Sequence, residues 1–90
     1  MIVCVKSETI AVTSEAITLG AVGKDVTSVK VYAEGSIRFW TSGKVPNGTD
    51  GIPMYDGTER EFSVYEASKF KAIRRGNTDA AIHVQHYRVS

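Results

Sequence analysis

Apolar and polar residues alternate along most of this chain with a period of two. The alternation comes in short bursts separated by Gly, Asn, Asp and Ser, a rhythm that predicts antiparallel strands rather than helices. In the first segment either Ile2 with Cys4 or Val3 with Val5 faces a core. Ile10 with Val12, then Ile17 with Leu19, continue the pattern around Thr13-Ser14-Glu15, and residues 20–25 break it. From Ser28 to Thr41, Val29 and Val31 alternate with Ser28, Lys30 and Tyr32, and Ile37 and Phe39 alternate with Ser36, Arg38 and Trp40. Glu34-Gly35 between the two runs predicts a hairpin, because glycine tolerates the positive φ of a tight turn.

Between Ser42 and Thr58 lie Gly43, Pro46, Asn47, Gly48, Gly51, Pro53 and Gly57, a density of breakers that predicts a long loop without strand or helix. Loops of that length tend to be functional or mobile, so this one is a candidate contact surface; the plainer reading is a surface connection. Alternation resumes over Glu59–Tyr65, with Phe62 and Val64 on one face. A helix over Glu59–Lys71 competes there, since Phe62, Tyr65, Ala67 and Phe70 partly satisfy helical spacing. Phe70, Ala72 and Ile73 suggest a bulged strand, Arg75-Gly76-Asn77-Thr78 a turn, and Asp79–Val89 a last strand with both faces partly covered. The expected fold is all-β, a small antiparallel β-sandwich or barrel of about seven strands.

Ninety residues suit one domain spanning 1–90 with a single core, and leave a margin of stability that subunit contacts could enlarge. Hydrophobic residues at 42% and charged residues at 23% are ordinary globular values, which turns the reading away from disorder and from fibrous classes. Eleven basic against ten acidic side chains leave a formal charge of +1, so nucleic acid is not the expected partner. The lone Cys4 cannot close an intramolecular disulfide. Met1–Lys6 is apolar but too short for a signal-peptide core, so it reads as a strand of a chain made in the cytoplasm. No apolar run approaches the roughly 20 residues that span a bilayer, so no membrane partner is expected.

Candidate chemistry changes this picture little. His83 and His86, three apart on a strand, point to opposite faces and cannot share a metal, so no metal site is expected. Cys4 and the serines have no evident base beside them. Asp50, Asp56, Glu59, Glu61 and Glu66 lie in or beside the glycine-rich loop with nothing to fix a catalytic separation; as calcium ligands Asp50 and Asp56 match no EF-hand spacing and read better as turn residues. The loop also lacks phosphate-binding glycine patterns, so no cofactor is expected and the chain reads as a non-enzyme. Lys69, Lys71, Arg74 and Arg75 form the one basic cluster; on a strand Lys69 and Lys71 would share a face opposite Phe70, which suits a solvated edge or an edge facing an acidic partner. The aromatic residues matter more, because Trp and Tyr are enriched at interface centres. Ile2, Val3, Val5, Tyr32, Trp40, Pro46, Ile52, Met54 and Tyr55 are the candidate interface residues, with Trp40 placed either outward at an interface or under a second core layer.

One arrangement is familiar: V-K-V-Y-A-E-G-S-I-R-F-W, a loop ending G-I-P-M-Y-D-G, then E-F-S-V-Y, K-F-K-A-I-R-R-G-N-T-D-A and A-I-H-V-Q-H-Y-R-V. It resembles small β-sandwich virion proteins of tailed bacteriophages over about Ser28 to Val89; the first 27 residues are not covered. The resemblance implies a structural subunit present in many copies in the virion. It would decorate or cement the capsid, or sit at the head-to-tail connection or tail, bind other virion proteins and copies of itself, and need no cofactor. From another class, the same residues could form a small carbohydrate-binding module in which Trp40 and Tyr55 stack on a sugar.

Overall fold

The computed structural model describes residues 1–47 and 49–89. Where β-branched and aromatic residues alternate with polar ones the chain is extended, and eight strands form among the described residues. They are β1 (Ile2–Val12), β2 (Ile17–Thr18), β3 (Ser28–Glu34), β4 (Ile37–Trp40), β5 (Ile52–Met54), β6 (Glu59–Ser63), β7 (Lys71–Arg74) and β8 (Ala80–Val89), with one short helix, α1 (Val64–Ser68). Two four-stranded antiparallel sheets result, sheet A in the order β1-β8-β3-β6 and sheet B in the order β2-β7-β4-β5. The expected β-sandwich is therefore the fold.

The connectivity departs from the expectation at its plainest point. Ser28–Thr41 is not a hairpin: β3 pairs with β6 and β8, whereas β4 pairs with β5 and β7, so the chain crosses from one sheet to the other at Gly35. Alternation marks which residues face the core but not which strand lies alongside, and two strands facing each other across a core alternate just as hairpin neighbours do. Gly35 makes this corner with φ +92°, and a Cβ there would stand 2.8 Å from the Ala80 Cβ, so any side chain meets both strain and a clash.

Two further expectations are revised. The loop over residues 42–58 contains β5, whose Pro53 is tolerated because β5 is the edge strand of sheet B and needs no ladder donor on its open side; Gly48 of that loop lies outside the described residues. Extended structure after Glu59 stops at Ser63, and Tyr65 belongs to α1 rather than to a strand. A capping box fixes the switch: the Ser63 hydroxyl accepts from the Glu66 N–H at 3.1 Å, and the Glu66 carboxylate accepts from the Ser63 N–H at 3.1 Å. Val64 is thereby turned outward while Phe62 stays buried.

The core lies between the sheets. Val29, Val31, Ala33, Phe62, Ile82 and Val84 from sheet A meet Ile37, Phe39, Met54 and Ala72 from sheet B. At its centre Phe39 stacks on Phe70 at 5.4 Å between centroids, and Phe62 meets both edge-on at 5.4 and 5.5 Å. His86 is buried on the same side, its Nε2 3.4 Å from a Glu8 carboxylate oxygen. Removing one of these mutually packed rings, Phe39→Ala, is expected to cost about 3–5 kcal/mol through lost transfer energy and the cavity left behind. Urea unfolding checks it: the midpoint falls sharply with an unchanged slope, whereas Tyr65→Ala on the exposed side of α1 leaves the midpoint nearly where it was.

Candidate functional site

Because directly opposed residues share a face, the core positions of each strand dictate what lies outside. On sheet A, Ser7 and Thr9 of β1, His83 and Gln85 of β8, Lys30 and Tyr32 of β3 and Glu59 of β6 line a shallow open trough of about 370 Å³. Its side chains are linked. His83 Nε2 lies 2.9 Å from the Glu34 carboxylate and Nδ1 lies 3.1 Å from the Thr9 hydroxyl. An ionised carboxylate only accepts, so in the neutral imidazole Nε2 carries the proton and Thr9 donates to Nδ1. Tyr32 tilts against the His83 ring at 6.1 Å, and the Tyr87 hydroxyl donates to Gln85 at 2.7 Å.

The outer side of sheet B has a different character. Phe39 and Ala72 face the core, so Trp40 lies opposite Lys71 on the outside, and Arg38 lies between Ile73 and Pro53. Each of the two aromatics carries a cation on its ring: Lys44 sits 5.3 Å from the Trp40 centroid and Arg75 5.0 Å from that of Tyr55. The Arg38 guanidinium is tied down by donating to the Gly51 carbonyl at 3.0 Å. Trp40 is half-buried within this layer of outer side chains, not beneath a second core.

The third feature is β1 itself. Its eleven residues, at about 3.4 Å each, reach about 37 Å, nearly the molecule's 41 Å long axis. Only β8 pairs with it, so its outer edge has no strand partner among the described residues. A bulge at Val5 shifts the register between Cys4 and Lys6. Beyond it the strand ends in an exposed apolar tip, with Met1 90%, Ile2 69% and Val89 67% exposed, Val5 43% and Val3 half-buried.

The candidate residues are thus dispersed. Ile2, Val3 and Val5 share the tip of β1; Trp40 and Tyr55 lie on the outside of sheet B, at opposite ends of β4 and β5; Tyr32 lies on sheet A, on the far side of the molecule. Pro46 and Met54 are buried, so the loop turns these two inward, while Val45, Ile52 and Tyr55 stay exposed. Asp50 pairs with Lys44 at 2.8 Å and Asp56 accepts the Gly35 N–H at 2.8 Å, which commits both to turns. Among the described residues no group of three or more His, Cys, Asp and Glu gathers as a metal site. The basic cluster also divides: Lys69 caps α1, Lys71 faces out from sheet B, Arg74 pairs with Asp79 and Arg75 covers Tyr55. Of the trough only Tyr32 is among the expected site residues; its Thr9–His83–Glu34 array is not, since partners 74 and 49 positions apart leave no local signal.

The chain matches no family model, no curated protein and no solved structure.

At the end of α1, Lys69 Nζ donates to the Tyr65 hydroxyl at 3.0 Å and lies 4.6 Å from the ring centroid, and this hydrogen bond and charge hold the phenol below its ordinary value. An absorbance titration is expected to show a phenol ionising below the ordinary range. In Lys69→Met that early step moves up, because neither the bond nor the charge then favours the Tyr65 phenolate.

Proposed function

We propose that this chain is a non-enzymatic structural subunit that works by binding neighbouring protein surfaces. Its seat is that of the virion proteins its sequence resembles: a capsid decoration or cement protein contacting the major capsid protein, with a head-to-tail connector or tail position as the alternative within the same class. Such a subunit is made in the host cytoplasm and carried in the virion.

The observation that carries the reading is the outer edge of β1, which has no strand partner among the described residues, with its exposed apolar tip. The other edges are blunted. β2 has two residues, β5 carries Pro53, and β6 presents Glu59, Arg60 and Glu61. β1 alone offers a long row of backbone donors and acceptors, and its bulge and Lys6 interrupt that row without covering it. A strand added there gains main-chain hydrogen bonds, and the tip adds apolar contact.

A catalytic reading of Thr9, His83 and Glu34 has less to support it, although hydroxyl, imidazole and carboxylate stand in the order of a nucleophilic triad. On a sheet face the backbone N–H groups lie in the plane of the sheet, so no oxyanion pocket stands over the hydroxyl. The imidazole and carboxylate are also bathed in water, their side chains 43% and 67% exposed. The trough favours a second reading, a carbohydrate-type ligand held by Tyr32, His83, Gln85, Lys30 and Glu59. That places the sugar on sheet A rather than on Trp40 and Tyr55, so the imidazole resonance of His83, not tryptophan fluorescence, reports a glycan screen.

For the first reading the test is binding of the purified chain to capsids stripped of accessory proteins, with and without residues 1–6. Binding is expected to be lost on deletion while the far-ultraviolet spectrum of the folded remainder persists. Equal binding by both forms, or binding by neither together with a His83 response to one glycan, would overturn it.

A further inference from the structure

The net charge of +1 conceals an unequal distribution. The outside of sheet A carries Glu34, Glu59 and Glu61 against Lys30, whereas the outside of sheet B carries Arg38, Lys44, Lys71 and Arg75 against Asp50, which Lys44 already neutralises. The acidic and basic faces lie back to back, separated by the packed core, with sheets about 10 Å apart. Ile73 and Pro53, flanked by Trp40 and Tyr55, give the basic face an apolar and aromatic centre within a charged rim, the anatomy of a binding surface.

We propose that the outer face of sheet B docks on the outer face of sheet A of a second copy, so that copies stack head to tail. Charge complementarity selects this occupant, since the chain carries its own acidic counterpart on a sheet face of the same kind. The aromatic rings argue against a nucleic acid in that place, because Lys44 and Arg75 already lie over Trp40 and Tyr55 where a base would stack. The contact joins two different faces, so every assembly ends with one free face of each kind and grows until it closes as a ring or continues as a filament. It is independent of the β1 edge.

The test uses the full-length chain in light scattering and sedimentation. Average mass is expected to climb with concentration past that of a dimer and to fall as salt rises from about 0.01 M to about 1 M, over which the screening length drops from roughly 30 to 3 Å. Lys71→Gln with Arg75→Gln disables the basic face, and Glu59→Gln with Glu61→Gln the acidic one. Each double variant is expected to weaken self-association by at least about tenfold. Mixed, the two differ from any pair that meets through one self-complementary patch: each retains one good face, so they form a one-to-one heterodimer that grows no further. Deleting residues 1–6 leaves all of this unchanged. A wild-type chain that is monomeric at every salt concentration, variants that associate as wild type does, a mixture that stays monomeric, or association abolished by the deletion overturns the proposal. So does a monomeric wild type that binds short single-stranded DNA through Lys71 and Arg75.

Discussion

Everything in this molecule hangs on the joint formed by Phe39, Phe62 and Phe70. Phe62 belongs to sheet A, Phe39 to sheet B, and Phe70 enters from the segment between α1 and β7, so three rings with centroids about 5.5 Å apart clamp both sheets and the helical turn α1 into one core. A stacked pair capped edge-on by a third ring satisfies the geometry aromatic quadrupoles prefer, and adds to the area each ring removes from water. Once the sheets are held face to face, alternation fixes the rest: each residue beside a core position is thrown onto one of two opposite outsides.

Connectivity follows from the same constraint. Of the connections between consecutive strands only β4 to β5 stays within a sheet; the others pass over the core from one sheet to the other. Such crossings need sharp corners. Gly35 makes one against Ala80, and the capping box at Ser63 and Glu66 makes another by converting the end of β6 into a turn of helix that returns Phe70 to the core. Ladders then tie strands distant in sequence, β1 to β8 above all, which makes an eleven-residue edge strand stable although eight of its residues are polar or exposed.

Alternation at Val29, Val31, Ile37 and Phe39 sufficed to place strands and their buried faces, because facing the core is a local property. Their partners were illegible, since a corner at Gly35 and a hairpin turn there demand the same residue. The S-V-Y-E run did carry a helix signal, but five helical residues leave too little periodicity to outweigh the strand that precedes them. Pro53 reads as a strand breaker until its place at an edge is known. The exposed tip at Ile2 and Val5 was legible as apolar sequence without a charged or turn-forming role. The trough was not, being assembled from four strands, and neither was the polarity of the molecule, because net charge is a sum over faces that only the fold separates.

That polarity is the central claim, and a zero-length carbodiimide cross-link between carboxylate and lysine tests it most directly. In an equal mixture of isotopically light and heavy protein at low salt, mass spectrometry of the digested products is expected to find Lys71 joined to Glu59 or Glu61 in mixed-isotope pairs. These residues lie on opposite outsides of one molecule, so such a link must run between copies. Finding Lys71 linked only within single molecules, or mixed-isotope links confined to Lys6 and Glu8 of β1, would contradict it.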